Sequence, residues 1–295
     1  MITSKSRTYT RILIMLAAIS MFIVAGCSLG DLPGAGTTDP VDGQKLKVYF
    51  LDVGQGASQL LVTPSGKTML IDAGNNDKEQ VMLDYMKTYH IEKLDVVIGT
   101  HPDADHIGGL DKVIDHLPVS AIYMPKVQSN TKTFESLLQS IKNKGLKVKT
   151  AKAGLSFDLD DQVHVDMLAP NGTYENTNNM SAVVKVTYGH TSFLLTGDAE
   201  SESEKDMLAS GADLHADVLL VGHHGSNSST TLKFLKQVQP KYAVIQVGKG
   251  NTYGHPKSAV LNRLQKQGVE VYRNDQQGTI TITSDGKSLH IVTER

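Results

Sequence analysis

The chain has 295 residues, 40% of them hydrophobic, enough to bury an ordinary globular core as one large domain or two small ones. That composition excludes collagen-like and wholly disordered classes. A formal net charge of −2 excludes a protein that coats nucleic acid by overall positive charge, so a phosphate-bearing substrate would have to meet a local patch or bound metal ions.

Lys5, Arg7 and Arg11 precede an apolar run from Ile12 to Ala25, and no acidic residue occurs before Asp31. This is the layout of a secretory signal, and the run is short for a membrane span. Its end, Val24-Ala25-Gly26-Cys27, resembles the lipobox of bacterial lipoproteins. That resemblance implies a signal peptide of residues 1–26, lipidation of Cys27, and a domain exported and lipid-anchored on the outer face of the cytoplasmic membrane. An uncleaved anchor helix is the competing expectation; in both cases the folded part lies outside that membrane. Cys27 is the one cysteine, so no internal disulfide forms. Removing residues 1–26 takes away three positive and no negative charges, which leaves 26 Lys+Arg against 31 Asp+Glu and a formal net charge of −5. The segment from Ser28 to about Gln44 is rich in Gly, Pro, Thr and Asp, so residues 27–44 read as a flexible tether.

The pattern then becomes β-rich. Leu46–Val53, Gln59–Val62 and Thr68–Asp72 are short apolar runs separated by Gly-containing turns, an opening meander. Next, Lys78–His90 has helical spacing, Leu94–Thr100 is a buried-strand run, Ile107–Leu117 is helical and Val119–Met124 is a strand. Helix Thr133–Gly145 follows, then strands Val163–Leu168, Ser181–Tyr188 and Thr191–Leu195. The last third predicts helix Glu202–Ser210, strand Asp217–Val221, helix Thr231–Val238, strand Tyr242–Val247, helix Lys257–Gly268 and strands from Val269 to Val292. Two β-rich stretches with interspersed helices imply an α/β fold of αββα type, two sheets face to face with helices outside, as one domain over residues 45–295. Between Lys126 and Lys152 stand seven lysines and a single acid, Glu135, a stretch that reads as a solvated helix face and its flanking loops.

Chemistry concentrates directly after the run Leu94–Thr100. In His101-Pro102-Asp103-Ala104-Asp105-His106, four groups able to bind metal fall within six positions at a strand end, where they can converge. The segment resembles the metallo-β-lactamase superfamily signature His-x-His-x-Asp-His, with Asp103 in place of the second histidine. Other segments match in order: Phe50-Leu51-Asp52-Val53-Gly54-Gln55-Gly56, Leu70-Ile71-Asp72-Ala73-Gly74, Leu195-Thr196-Gly197-Asp198, Val221-Gly222-His223-His224-Gly225-Ser226 and Asn251-Thr252-Tyr253-Gly254-His255-Pro256. Together they resemble the hydrolase domain of ComEC-type competence proteins.

The resemblance implies a metallo-β-lactamase sandwich holding two divalent ions, manganese or zinc. One would take His101, Asp103 and Asp198; the other Asp105, His106, Asp198 and a late histidine. Asp105 also counts among the catalytic residues, at the metal-activated water. By analogy with relatives such as tRNase Z, His255 is the late ligand and His223 or His224 the leaving-group acid, with the reverse assignment left open. Asn178, Ser181 and Ser226 are the expected substrate contacts. The implied activity is a phosphodiesterase or nuclease outside the membrane, with DNA or another phosphodiester as partner. Hydrolysis of a phospholipid head group, a cell-wall phosphodiester or a lactam competes with it, as does a non-catalytic DNA-binding lipoprotein with a degenerate metal site.

Two departures bear on the metal. Ala57 replaces the aspartate usual after Gly-Gln-Gly, and no histidine of the superfamily's third motif precedes Asp198; Asn178-Asn179-Met180-Ser181 occupies that region. An oxygen-rich first site shifts the expectation from zinc toward a harder cation such as manganese. His90, His116, His164, His190, His215 and His290 lie outside the motifs and read as surface or satisfied core residues. Ser226, Ser228 and Ser229 lack a paired base and orienting acid, so they are not read as nucleophiles.

Overall fold

A computed structural model describes residues 45–295; Cys27, the signal and the tether lie outside the described residues. The first half contributes β1 (Leu46–Phe50), β2 (Gln59–Val62), β3 (Thr68–Ile71), α1 (Glu79–Thr88), β4 (Leu94–Ile98), α2 (Ala104–Ile107), α3 (Leu110–His116), β5 (Val119–Met124), α4 (Lys132–Asn143) and β6 (Val148–Thr150). The second contributes β7 (Leu155–Asp160), β8 (Val163–Ala169), β9 (Val183–Tyr188), β10 (Thr191–Leu195), α5 (Ser201–Ala209), β11 (Val218–Leu220), α6 (Leu232–Val238), β12 (Tyr242–Ile245), α7 (Ser258–Lys266) and β13 (Glu270–Arg273). A short helix, α8 (Asn274–Gln277), then leads to β14 (Ile280–Ser284) and β15 (Leu289–Thr293).

These strands form an eight-stranded sheet, β15-β14-β1-β2-β3-β4-β5-β6, and a seven-stranded sheet, β13-β12-β11-β10-β9-β8-β7. Side-chain alternation builds the layers. Leu46, Val48 and Phe50 of β1 point between the sheets and join Val165, Val184, Val186 and Phe193 of the second sheet in one buried cluster. Leu60, Leu70 and Val97 point the other way, onto Met82, Val113 and Leu137 of the helices. Leu194, Leu219 and Ala243 likewise meet Met207, Phe234, Val260 and Leu264 on the far side of the second sheet. Strands buried on both faces carry consecutive apolar residues, as in Leu60-Leu61 and Leu70-Ile71, which is why these runs lack clean alternation. The expected αββα sandwich is the observed one. All seven lysines from Lys126 to Lys152 are exposed, on α4, its flanking loops and the edge strand β6. Among the described residues no helix is long and apolar enough to cross a membrane.

The predicted helix Ile107–Leu117 is instead two helices, α2 and α3, separated by Gly108 and Gly109. A Cβ at Gly108 would stand 2.3 Å from the Asn76 backbone N, and one at Gly109 would stand 2.5 Å from Ala73 O. The two glycines let this segment press against residues 73–76, and Ala73 N donates to His106 O at 2.7 Å. The expected strands from Val269 to Val292 are interrupted by α8, whose buried Asn274 donates from Nδ2 to Phe50 O (3.1 Å) and Gly278 O (2.7 Å). That contact carries the chain from one sheet to the other.

Candidate metal centre

Five strand ends meet at one edge of the sandwich. β3 delivers Asp72, β4 the His101–His106 segment, β10 Asp198, β11 the Gly222–Gly225 turn, and β12 Gln246 with the loop to His255. The ligand candidates therefore come from both sheets.

His101, His106 and His224 are 0%, 0% and 4% exposed, and the Nε2 atom of each is buried without a hydrogen-bond partner. Those three atoms face carboxylates: His106 Nε2 lies 3.0 Å from Asp198 Oδ1, and His101 and His224 Nε2 lie 4.0 and 3.7 Å from Asp198 Oδ2. His224 Nε2 is also 3.4 Å from Asp105 Oδ2. Two sets of ligand atoms fall within 4.8 Å of one another, His101 with His106 and Asp198, and Asp105 with His106 and His224.

The other ring nitrogens set the tautomers. His106 Nδ1 donates to Asp72 Oδ2 (2.7 Å), and His224 Nδ1 to Gln246 O (2.7 Å). Thr100 Oγ1 donates to Asp72 Oδ2 (2.7 Å), so its lone pair accepts from His101 Nδ1 (3.0 Å). With each Nδ1 carrying the proton, three Nε2 lone pairs aim into the cluster, the arrangement that orients imidazole ligands for a cation. A buried ring nitrogen that faces a carboxylate is satisfied by positive charge, a proton or, in its place, a divalent cation, so the residues present fit divalent metal binding.

Charge agrees with that geometry. Burial opposes ionisation of Asp198, yet His106 and His224 hold its carboxyl well below the usual range. Burial opposes charge on His106 as well, but Asp198 and Asp72 hold its imidazole well above the usual value. For Asp105, burial is outweighed by the His224 hydrogen bond and by His106, which bring it down to about 2. The carboxylates stay ionised and the site draws positive charge. Asp103 stands at the rim, its side chain 46% exposed and its Oδ2 3.8 Å from His101 Nε2.

The late histidines part company. In Gly222–Gly225 both His223 (φ 48°) and His224 (φ 52°) occupy the left-handed region, a strained pair in sequence. The turn sends His224 into the cluster and keeps His223 beside it, 25% exposed, with Nε2 3.7 Å from Asp198 Oδ2. His223 Nδ1 donates to Glu200 Oε1 at 2.9 Å, and Glu200 also accepts from Asn176 (2.9 Å) and Asn178 (3.1 Å). His255 belongs to neither ligand set; its ring lies edge-on to His223 at 5.6 Å. Burial, with His223, His224 and Lys257 nearby, holds His255 down to about 4. Where the sequence favoured His255 as ligand and left His224 among the acids, the structure brings His224 to the ligand atoms and leaves His255 outside both ligand sets, its Nδ1 buried without a hydrogen-bond partner.

Among the expected substrate contacts, Asn178 lies beside Glu200 and His223, and Ser226 Oγ pairs with Ser228 Oγ at 2.9 Å. Ser181 requires a correction: it is fully buried, and its hydroxyl accepts from Asp198 N (3.1 Å) and lies 3.4 Å from His101 Nδ1, so it shapes the site from behind. Sequence reasoning gave no role to Thr100, Glu200 and Gln246. Asp72 appeared only as part of a matching segment.

Known proteins corroborate the fold. The metallo-beta-lactamase superfamily profile matches residues 51–249. ComE operon protein 3 of Bacillus subtilis is 36% identical over 79% of this chain and 32% of its own length. Recombination protein 2 of Haemophilus influenzae is 32% identical over 80% of this chain and 28% of its own length, so the chain spans about a third of these relatives. Among solved structures, the metallo-beta-lactamase fold protein YhfI of Bacillus subtilis superposes with a TM-score of 0.51 at 14% identity, covering 82% of this chain and 100% of that one. CmlA, a diiron beta-hydroxylase from Streptomyces venezuelae, gives a TM-score of 0.53 at 14% identity, covering 79% and 53%; both likenesses are of fold alone. By profile, fold and ligand sequence, the chain belongs to the metallo-β-lactamase superfamily of hydrolases and is homologous to ComEC-type competence proteins.

Proposed function

We propose that the chain is a two-metal phosphodiesterase acting on nucleic acid outside the cytoplasmic membrane. The observation that carries this reading is the convergence of three unpartnered, buried imidazole nitrogens on Asp198 and Asp105, with a partly exposed histidine beside them. An imidazole Nε2 has one lone pair and serves one ion. The two ligand sets overlap at His106, so holding two ions calls on both Asp198 oxygens and on Asp103 at the rim. Divalent ions bound there would supply an acidified water and polarised phosphoryl oxygens.

The protein's own groups do the rest. Asp72, Thr100 and Gln246 O hold the ring nitrogens that keep His101, His106 and His224 turned inward. Glu200 fixes His223 through Nδ1 and presents Nε2 toward the cluster mouth, where it can hand a proton to a departing oxygen. His223 is therefore the leaving-group acid and His224 the late ligand. The names of two relatives, a competence protein of Neisseria gonorrhoeae and a recombination protein of Haemophilus influenzae, favour a nucleic-acid substrate over a lactam or a head group. The apolar run Ile12–Ala25, followed by Gly26-Cys27, supports export and lipid anchoring, with the membrane as partner.

Three carboxylates among the donors support manganese. Stripping the protein and reloading it with each ion should restore hydrolysis of a single-stranded oligonucleotide more fully with manganese than with zinc. Full turnover with zinc alone would refute the metal assignment, and turnover of a lactam or a glycerophosphodiester but not the oligonucleotide would refute the substrate class.

A further inference from the structure

The large exposed apolar side chains among the described residues are Leu138, Val148, Leu232, Tyr253 and Val292; Tyr253 is the one aromatic and, at 62%, the most exposed. A tyrosine in water is ordinary. Its place in the fold is the informative part. The Tyr253 ring is stacked on His255, with centroids 5.8 Å apart and planes at 26°. His255 in turn meets His223 edge-on at 5.6 Å, and His223 Nε2 is 3.7 Å from Asp198 Oδ2. A row of rings thus leads from the metal cluster to the surface. A ring stacked on one side and 62% exposed has its other face open to solvent.

The loop that carries this ring is held in shape. Asn251 donates from Nδ2 to Gly248 O (3.0 Å) and His255 O (2.8 Å), while its Oδ1 accepts from His255 N (3.0 Å). Lys257 Nζ donates to Tyr253 O at 2.6 Å, and Lys257 N donates to Gly225 O at 2.9 Å. An aromatic face on a pre-formed loop loses little freedom when a planar partner settles on it. From Gly248 to Lys257 the loop carries Lys249 and Lys257 and no acid, which suits an anionic backbone alongside.

We propose that Tyr253 is a stacking platform for an unpaired nucleobase of the strand being cut. The site would then prefer base-bearing phosphodiesters in single-stranded nucleic acid to base-free ones such as lipid head groups and cell-wall polymers. This inference rests on the phosphodiesterase reading and names its substrate class. Bases within a duplex have their faces covered by neighbours, whereas a single strand offers them to an aromatic side chain.

The chain contains no tryptophan, so Tyr253→Trp places a single indole emitter at the platform. The metal-loaded variant is titrated with a thymidine oligonucleotide whose phosphorothioate linkages resist hydrolysis, and with an abasic oligonucleotide of the same length and linkage. Saturable quenching by the first and none by the second is expected. Equal quenching by both, or none by the thymidine strand, overturns the proposal. In anisotropy measurements on the same oligonucleotides, Tyr253→Ala should bind the thymidine strand roughly 5- to 150-fold more weakly, at the level of the abasic one, while Tyr253→Phe retains tight binding. A Tyr253→Ala protein that still distinguishes the two strands also overturns it. Base-dependent quenching without hydrolysis of an ordinary oligonucleotide would uphold the platform and refute the phosphodiesterase reading, so the two failures are distinct.

Discussion

Replacing His223 and His224 separately by alanine should give opposite phenotypes although the two are neighbours in sequence. His223 is 25% exposed, and its partner Glu200 keeps its bonds to Asn176 and Asn178 when the imidazole goes, so folding and metal content should hold. What disappears is the proton for the departing oxygen. That contribution is typically about 10²–10⁴ in rate, or roughly 2.7–5.4 kcal/mol of barrier. His224 differs in every respect. Its loss takes one member from the set Asp105, His106 and His224, and removes the donor 2.7 Å from the buried Gln246 O, which costs about 1–3 kcal/mol of stability by itself. Elemental analysis of both purified variants, together with hydrolysis of an oligonucleotide and of bis(4-nitrophenyl) phosphate, separates the roles. His223→Ala should keep its metal, lose the oligonucleotide rate, and recover most of it on the nitrophenyl ester, whose leaving group needs no proton. If His223→Ala sheds metal, or if its defect is the same on both substrates, the assignment of acid and ligand is refuted.

Asp198→Ala should abolish turnover and strip both ions while the circular dichroism spectrum stays native, because one carboxylate faces four imidazoles, three of them candidate ligands; retention of two ions would show that it bridges nothing. Cys27→Ala in the full chain should abolish incorporation of a labelled fatty acid, while a chain starting near Gln44 stays active in the soluble fraction; equal labelling of the Cys27→Ala protein would end the lipidation assignment. Gly108→Ala should lower the melting temperature by roughly 6–12 °C, the effect of about 3 kcal/mol, because its Cβ would stand 2.3 Å from Asn76 N. Gly172→Ala, with nothing within 4 Å, is the matched substitution that should leave melting unchanged, and similar behaviour of the two would remove the packing argument.

The strands were legible because burial on both faces leaves only apolar runs, as in Leu70-Ile71 and Val96-Val97-Ile98, and because glycine turns separate them. The dense ligand segment after β4 announced a metal site from local sequence alone. What stayed hidden depended on distance along the chain. Gln246 selects the His224 tautomer from 22 residues away, and Glu200 orients His223 from 23 residues before it. Neither carries a local signal. Similarly, helical periodicity from Ile107 to Leu117 says nothing of the backbone at Asn76 that forces the break at Gly108. The choice between His224 and His255 turned on two left-handed residues, a conformation that histidine's own propensities do not predict.

Because Asp72, His101, Asp105 and His106 follow strands of one sheet while Asp198 and His224 follow strands of the other, any cation held there ties the two halves of the sandwich together. Occupancy and folding are then thermodynamically linked, and free cation at 100 times its dissociation constant adds about 2.7 kcal/mol to the folded state. The linkage runs both ways. A substitution in the core between the sheets, far from any ligand, that lets them part raises the cation concentration needed to fill the site. The melting temperature becomes a gauge of free metal in the surrounding medium, and a chain starved of its ion is the one most open to proteolysis.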